Sequence, residues 1–166
     1  RHEVLAVVTR PDAVAGRGHR VTPSHVSVAA QEHGIPVLTP QRPSDPDFVA
    51  ALQDLAPDCC PVVAYGALIP QHVLDIPPKG WVNLHFSLLP AWRGAAPVQR
   101  AIMAGDRQTG VQIMRMSEGL DEGAILLSEI LDIRADDTAA SLGERMSHTG
   151  ASLWRVALAA IERGRV

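Results

Sequence analysis

The sequence predicts an α/β domain, a largely parallel sheet flanked by helices. Three observations predict it. Short apolar runs recur at residues 3–9, 59–65 and 81–85. The segments between them repeat apolar residues every three to four positions, as the buried stripe of a helix does. Apolar strands that alternate with amphipathic helices belong to parallel sheets, whose faces the helices cover. Ligands of such sheets bind beyond the carboxyl ends of the strands. The loops after residues 9, 65, 85 and 115 are therefore the places to look.

Each element has its own signal. Residues 3–9 read as a buried strand, β-branched and stopped by Pro11. Residues 10–23, with Pro, Gly and Arg, read as a loop. Ser24 caps a helix over 25–33, and Gly34 ends it. Val37 and Leu38 make a short strand. Asp45 caps a helix over 46–55, with Phe48, Leu52 and Leu55 on one face and Pro57 as the stop. Residues 59–65 form a second buried strand, and a short helix follows near 70–74. Pro77-Pro78-Lys79-Gly80 then turns the chain into the strand 81–85. Residues 86–95 are loop. Pro97 opens a helix to about Ala104, closed by Gly105. Strands over 109–115 and 124–133 flank a Gly-bounded loop, and this hairpin-like pair is where the sheet becomes mixed. The last helix starts at Asp137 or Thr138 and carries Leu142, Met146, Leu153, Ala157 and Ala160 at helical spacing.

The 166 residues suit one domain. With 46% hydrophobic and 20% charged residues, the chain can build a core and is not a disordered tail. A net charge of −3 excludes a wholesale basic nucleic-acid coat and leaves a local basic loop open. Cys59 and Cys60 are adjacent, which excludes a disulfide framework and fits a reducing compartment. The near-apolar run 59–70 is too short for a membrane span of ~20 residues, and Pro61 and Gly66 interrupt it. No signal peptide is expected, since the start Arg1-His2-Glu3 lacks an apolar stretch of the right length. A strand begins almost at once without an initiator Met, so residues are expected to be missing upstream.

Asn83 and His85 stand at the carboxyl end of the strand 81–85. Residues two apart on a strand share a face, so an amide and an imidazole project together. The amide can donate to an oxyanion, and the imidazole exchanges protons near neutral pH. The plainer alternative is that both satisfy backbone groups at a strand end. Asp121 lies in Gly119-Leu120-Asp121-Glu122-Gly123. It is either an Asx-turn residue or, on the edge expected for His85, a partner that fixes the imidazole tautomer or relays a proton.

The loop Ser87-Leu88-Leu89-Pro90-Ala91-Trp92-Arg93-Gly94-Ala95-Ala96-Pro97 is small, apolar and turn-rich. Its backbone can hydrogen-bond a flat heterocycle while the leucines cover the ring, although an ordinary packed loop has the same composition. Val63-Ala64-Tyr65-Gly66 is a second wall of that cleft or a core strand with one Tyr. Gly16-Arg17-Gly18-His19-Arg20 is a basic loop, open to phosphate contact or to plain solvation. It lacks the Lys-Ser/Thr of a P-loop and the third glycine of a dinucleotide fingerprint. No Gly-x-Ser-x-Gly nucleophile elbow occurs. The seven histidines do not join carboxylates or cysteines at metal spacings, so no metal is expected.

Asn83-Leu84-His85-Phe86-Ser87-Leu88-Leu89-Pro90, with Gly119-Leu120-Asp121-Glu122-Gly123 downstream, resembles the folate-dependent formyltransferase family. Trp92-Arg93-Gly94-Ala95-Ala96-Pro97-Val98-Gln99-Arg100 is similar to the methionyl-tRNA formyltransferases within it. So are Val63-Ala64-Tyr65-Gly66 and the stretch from Arg10-Pro11-Asp12 to Gly16-Arg17-Gly18 followed by Pro23-Ser24.

The resemblance implies a Rossmann-like catalytic domain over residues 1–166. Its activity would move a formyl group from 10-formyltetrahydrofolate to the α-amine of methionine on initiator tRNA, for translation initiation. It implies catalytic roles for Asn83, His85 and Asp121. Ser87, Leu88, Leu89 and Pro90 would line the tetrahydrofolate pocket, with Tyr65 and Gly66 nearby. Arg17, Arg20 and Arg93 would contact the tRNA. A cytoplasmic monomer without metal or membrane is expected. The family pattern has a strand, a Gly-containing loop and a helix ahead of residue 1, and a β-barrel domain beyond residue 166. Both are expected to be absent from this sequence. Rival readings are a formyltransferase acting on a sugar nucleotide or purine precursor, a dinucleotide-binding module and a non-catalytic RNA-binding module.

Overall fold

The computed structural model describes residues 2–15 and 20–166. The chain divides into two compact units, Arg1–Pro57 with Ala67–Ile76, and Asp58–Gly66 with Pro77–Val166.

In the first unit, β1 (Val7–Val8) pairs in parallel with β4 (Val37–Leu38), Val7 opposite Val37. The predicted strand 3–9 is thus paired over two residues only, and Val4 is 56% exposed. Apolar content made the whole run look buried; the strand's length is set by its partner, which is itself two residues long. The predicted loop 10–23 contains an antiparallel hairpin, β2 (Ala13–Ala15) with β3 (Arg20–Thr22). The glycines and charges of this segment read as loop, because a short two-stranded ribbon can pair through its backbone without apolar alternation. Helix α1 (His25–Glu32) starts as expected: the Ser24 hydroxyl accepts from Ser27 N at 3.1 Å. Helix α2 (Pro46–Leu55) has Asp45 at its N-cap, but that carboxylate accepts from Arg42 N at 2.9 Å rather than from the helix. The helix begins with Pro46, whose missing N–H is an orphan position anyway. Phe48 and Leu52 are buried, and Leu55 is half-buried. Helix α3 (Gln71–Leu74) buries Val73 and Leu74.

The second unit is built on a four-stranded sheet in the order β5 (Cys60–Val63), β6 (Trp81–His85), β7 (Gln108–Arg115), β8 (Ile125–Asp132). β5 and β6 are parallel, with Val62 opposite Asn83; β7 runs antiparallel to β6, and β8 antiparallel to β7. The α/β class holds, with parallel pairs β1–β4 and β5–β6 and helices alternating with strands. Antiparallel pairing extends one strand further inward than the final pair, to β6–β7. The strand β5 buries only Val62; Val63 is 50% exposed, so this strand is less enclosed than its apolar sequence predicts.

One sheet face presents Val82, Leu84, Val111 and Ile113 to α5 (Ala139–Glu162), whose Leu142, Met146, Ala157 and Ile161 complete the core. Val98 of α4 (Pro97–Ala104) joins them. The helix α5 is launched by a capping box: Ser141 N donates to Thr138 Oγ1 at 3.2 Å, and Thr138 N donates to Ser141 Oγ at 3.0 Å. The predicted apolar stripe holds, except that Ile161 rather than Ala160 is the buried residue of the last turn. Asn83, His85, Gly110 and Gln112 alternate with the core residues and occupy the opposite face.

Candidate active site

His85 ends β6 and is 5% exposed. Its Nε2 lies 3.1 Å from the carbonyl oxygen of Trp92. A carbonyl only accepts, so Nε2–H is the donor of that contact, and Nδ1 faces Asp121. Nδ1 stands 3.6 Å from Asp121 Oδ2. That oxygen also accepts from Gly94 N at 2.8 Å. The imidazole and carboxylate are therefore joined through one loop, which offers a carbonyl to the first and an amide to the second. Asn83, two residues before His85, projects from the same face and is half-buried. No described residue hydrogen-bonds its carboxamide.

The juxtaposition of His85 and Asp121 was expected, but by a different route. A parallel β7 would end beside His85. The observed β7 is antiparallel, and its Arg115 lies opposite Val82, near the start of β6. The loop 116–124 must fold back over the β6 face to bring Asp121 to His85. Asp121 adopts φ 51°, the left-handed region that Asp tolerates better than most residues.

The loop after β6 is braced at several points. The Ser87 hydroxyl donates to Ala91 O at 2.6 Å, and Ser87 is fully buried. Ser87 thus shapes the loop from inside, while Leu88 and Leu89 are half-buried and Pro90 is exposed. Leu89 N donates to Gln112 Oε1 at 2.7 Å, and Gln112 Nε2 donates to Ser128 Oγ at 3.0 Å. Gly110 faces Leu88 so closely that a Cβ there would lie 2.5 Å from Leu88 Cδ2. The Trp92 indole donates to Asp106 Oδ2 at 2.8 Å. Gln112 and Asp106 carry no motif that marks them in sequence; only the tertiary contacts reveal their place.

Tyr65 and Gly66 follow β5, whose parallel register with β6 brings them to the carboxyl edge that holds His85. Tyr65 is half-buried and Gly66 exposed. Arg93 is exposed and faces Glu122, Nη1 to Oε1 at 3.7 Å. Such a solvated pair contributes little to stability. Arg17 lies outside the described residues, and Arg20 begins β3 in the other unit. Cys59 and Cys60 offer no nucleophile. Burial pushes the Cys60 thiol up to about 12 and raises Cys59 as well, so both stay protonated at neutral pH. Among the described residues no group of three His, Cys, Asp or Glu could hold a metal ion. Among them, too, no helix is long and apolar enough to cross a membrane.

A histidine and an aspartate braced by one loop, with a carboxamide on the same face that no described residue engages, can stabilise a developing oxyanion and move a proton. The chain as a whole is similar to known proteins. A methionyl-tRNA formyltransferase from Rhodococcus erythropolis is 59% identical over 165 residues, 99% of this chain and 54% of that protein. One from Streptomyces coelicolor is 56% identical over 164 residues, 99% of this chain and 53% of its own length. The chain spans about half the length of the curated relatives it matches. Among solved structures, a phosphoribosylglycinamide formyltransferase from Bacillus halodurans has a TM-score of 0.78 at 26% identity, covering 92% of this chain and 77% of its own. A sugar N-formyltransferase from a Shewanella species has a TM-score of 0.68 over 80% of this chain and 51% of its own. Its 22% identity makes that a likeness of fold alone. The sequence pattern of the formyl transferase family runs through residues 1–158, and with that match the chain belongs to the formyl transferase family.

Proposed function

We propose that this chain is the catalytic domain of an enzyme that moves a formyl group from 10-formyltetrahydrofolate to the α-amine of methionine on initiator tRNA. The observation that carries the reading is the His85–Asp121 approach of 3.6 Å beneath the loop that braces both, on the face that bears Asn83. The choice among acceptors rests on relatives named methionyl-tRNA formyltransferase at 59% and 56% identity. The phosphoribosylglycinamide formyltransferase structure stands at 26%.

In the proposed reaction the amine nitrogen attacks the formyl carbon. A carbon–nitrogen bond forms, and the carbonyl π pair moves onto oxygen. The Asn83 carboxamide donates to that oxyanion, which a pre-placed donor stabilises without reorganisation. The tetrahedral centre collapses as the bond to the folate nitrogen breaks. The amine gives up a proton and the folate nitrogen takes one, with His85 and Asp121 handling the transfer. Leu88, Leu89 and Pro90, with Ser87 framing them and Tyr65 and Gly66 opposite, are proposed to hold the folate. Arg17, Arg20 and Arg93 are proposed to meet tRNA phosphates. The proposal includes a cytoplasmic, monomeric enzyme that needs no metal.

The test uses the protein in its natural length. Calorimetric titration with a tetrahydrofolate analogue should give saturable binding, and formyl transfer should be fast to methionyl-tRNA and slow to small amines. Transfer to an amino sugar or a purine precursor in preference to methionyl-tRNA would contradict the assignment of the acceptor. Tight dinucleotide binding with no binding of the folate analogue would contradict the whole reading.

A further inference from the structure

We propose that Asp106 is a positioning residue for His85, acting through Trp92. This inference rests on the functional reading above for its kinetic consequences, but its geometry stands apart from it. Trp92 adopts φ 59°, a conformation that a bulky L residue rarely takes. Two contacts hold it there. Its indole N–H donates to Asp106 Oδ2 at 2.8 Å, and its carbonyl oxygen accepts from His85 Nε2 at 3.1 Å. Asp106 is itself fixed. It follows Gly105, the left-handed end of α4, and its own N–H donates to Ala101 O at 3.1 Å. A rigid helix end therefore grips the indole, and the indole's residue aims one carbonyl at the imidazole. That carbonyl accepts from Nε2–H and leaves Nδ1 turned toward the Asp121 carboxylate. Without the Asp106 contact, the Trp92 peptide is free to relax, and the imidazole loses the acceptor that holds a proton on Nε2, with the Asp121 carboxylate left to draw it to Nδ1.

The test compares Asp106→Leu, Asp106→Asn and Trp92→Phe in the natural-length protein. Asp106→Asn keeps an oxygen acceptor for the indole, whereas the other two delete the bond from either side. Long-range proton–nitrogen NMR of the histidine rings reads the His85 tautomer directly and needs no substrate. Asp106→Leu and Trp92→Phe should each blur the Nε2–H pattern. Each should lower kcat for formyl transfer by on the order of tenfold to a hundredfold, with KM for the folate nearly unchanged. Asp106→Asn should restore both readouts, and the Leu/Phe double variant should be no worse than either single one. Trp92→Phe serves alone if Asp106→Leu does not fold. An intact Nε2–H pattern and full kcat in folded Asp106→Leu or Trp92→Phe would overturn the proposal. A disturbed tautomer in a protein that never formylates methionyl-tRNA would uphold the positioning role and sink the functional reading instead.

Discussion

Trp92, Ala96 and Asp121 all carry positive φ, as does Ala64 at the end of β5, level with His85. Left-handed backbone at residues other than glycine costs roughly 1–3 kcal/mol each, so a compensating frame is required. Hydrogen bonds from Gly94 to Asp121 and from Trp92 to Asp106 supply part of that frame. Strain gathered on the loops around one imidazole marks a place where geometry is held against local preference. Asn83 lies within this region with a carboxamide that no described residue engages. Asn83→Ala should lower turnover by ~10²–10³ while folate-analogue affinity and melting temperature stay close to the parent. Steady-state formylation alongside calorimetry checks this, and near-normal turnover would remove Asn83 from the mechanism.

The loops and helices act as units whose anchors can be tested one at a time. Gly110 on β7 leaves the space that Leu88 fills, and a Cβ there would also collide with the Glu129 carbonyl of β8. Gly110→Ala should destabilise by about 1–3 kcal/mol, read from the urea midpoint, and weaken folate-analogue binding because Leu88 is displaced. The start of α5 gives a pH prediction. The Arg134 amide first, then the Ser141 hydroxyl and the Arg145 guanidinium, hold the Asp137 carboxyl below its usual range. Its folded-state value lies below the unfolded one of ~3.9, so its stabilisation is present at neutral pH and fades as pH falls through the folded value. Asp137→Asn should lower the denaturation midpoint at pH 7 and flatten its decline in acid below about pH 4. An undiminished acid slope in the variant would show that other carboxylates dominate.

In the second unit the sheet separates two tasks. Val82, Leu84, Val111 and Ile113 meet α5 on one face, and the residues between them carry the candidate site on the other. Packing on the core side therefore sets the level from which the site-side loops are measured. Met146 of α5 is fully buried in that core. Met146→Ala should cost about 2–5 kcal/mol through lost burial and the cavity left behind. Urea denaturation checks this, and a loss under 1 kcal/mol would mean that the α5 packing relaxes freely.

The elements that apolar period and end signals mark were legible in the sequence: Ser24 before α1, Pro97 and Gly105 around α4, and the Leu142–Met146 stripe of α5. These signals are local, because a helix must cap its own ends and bury its own stripe. Asn83 and His85 were also legible as a pair, since a strand places residues two apart on one face. What stayed hidden depends on partners remote in the chain. The direction of β7, the two-residue length of β1 and the β2–β3 hairpin are decided by pairing between strands, which composition does not encode. Ser87 turns inward, and Asp106 and Gln112 brace the site loop, because a hydrogen bond needs a neighbour in space and not in sequence. The sequence alone determined which side chains share a strand face. The tertiary structure decided which remote carboxylate, carbonyl and amide surround the imidazole, because loop closure sets those distances.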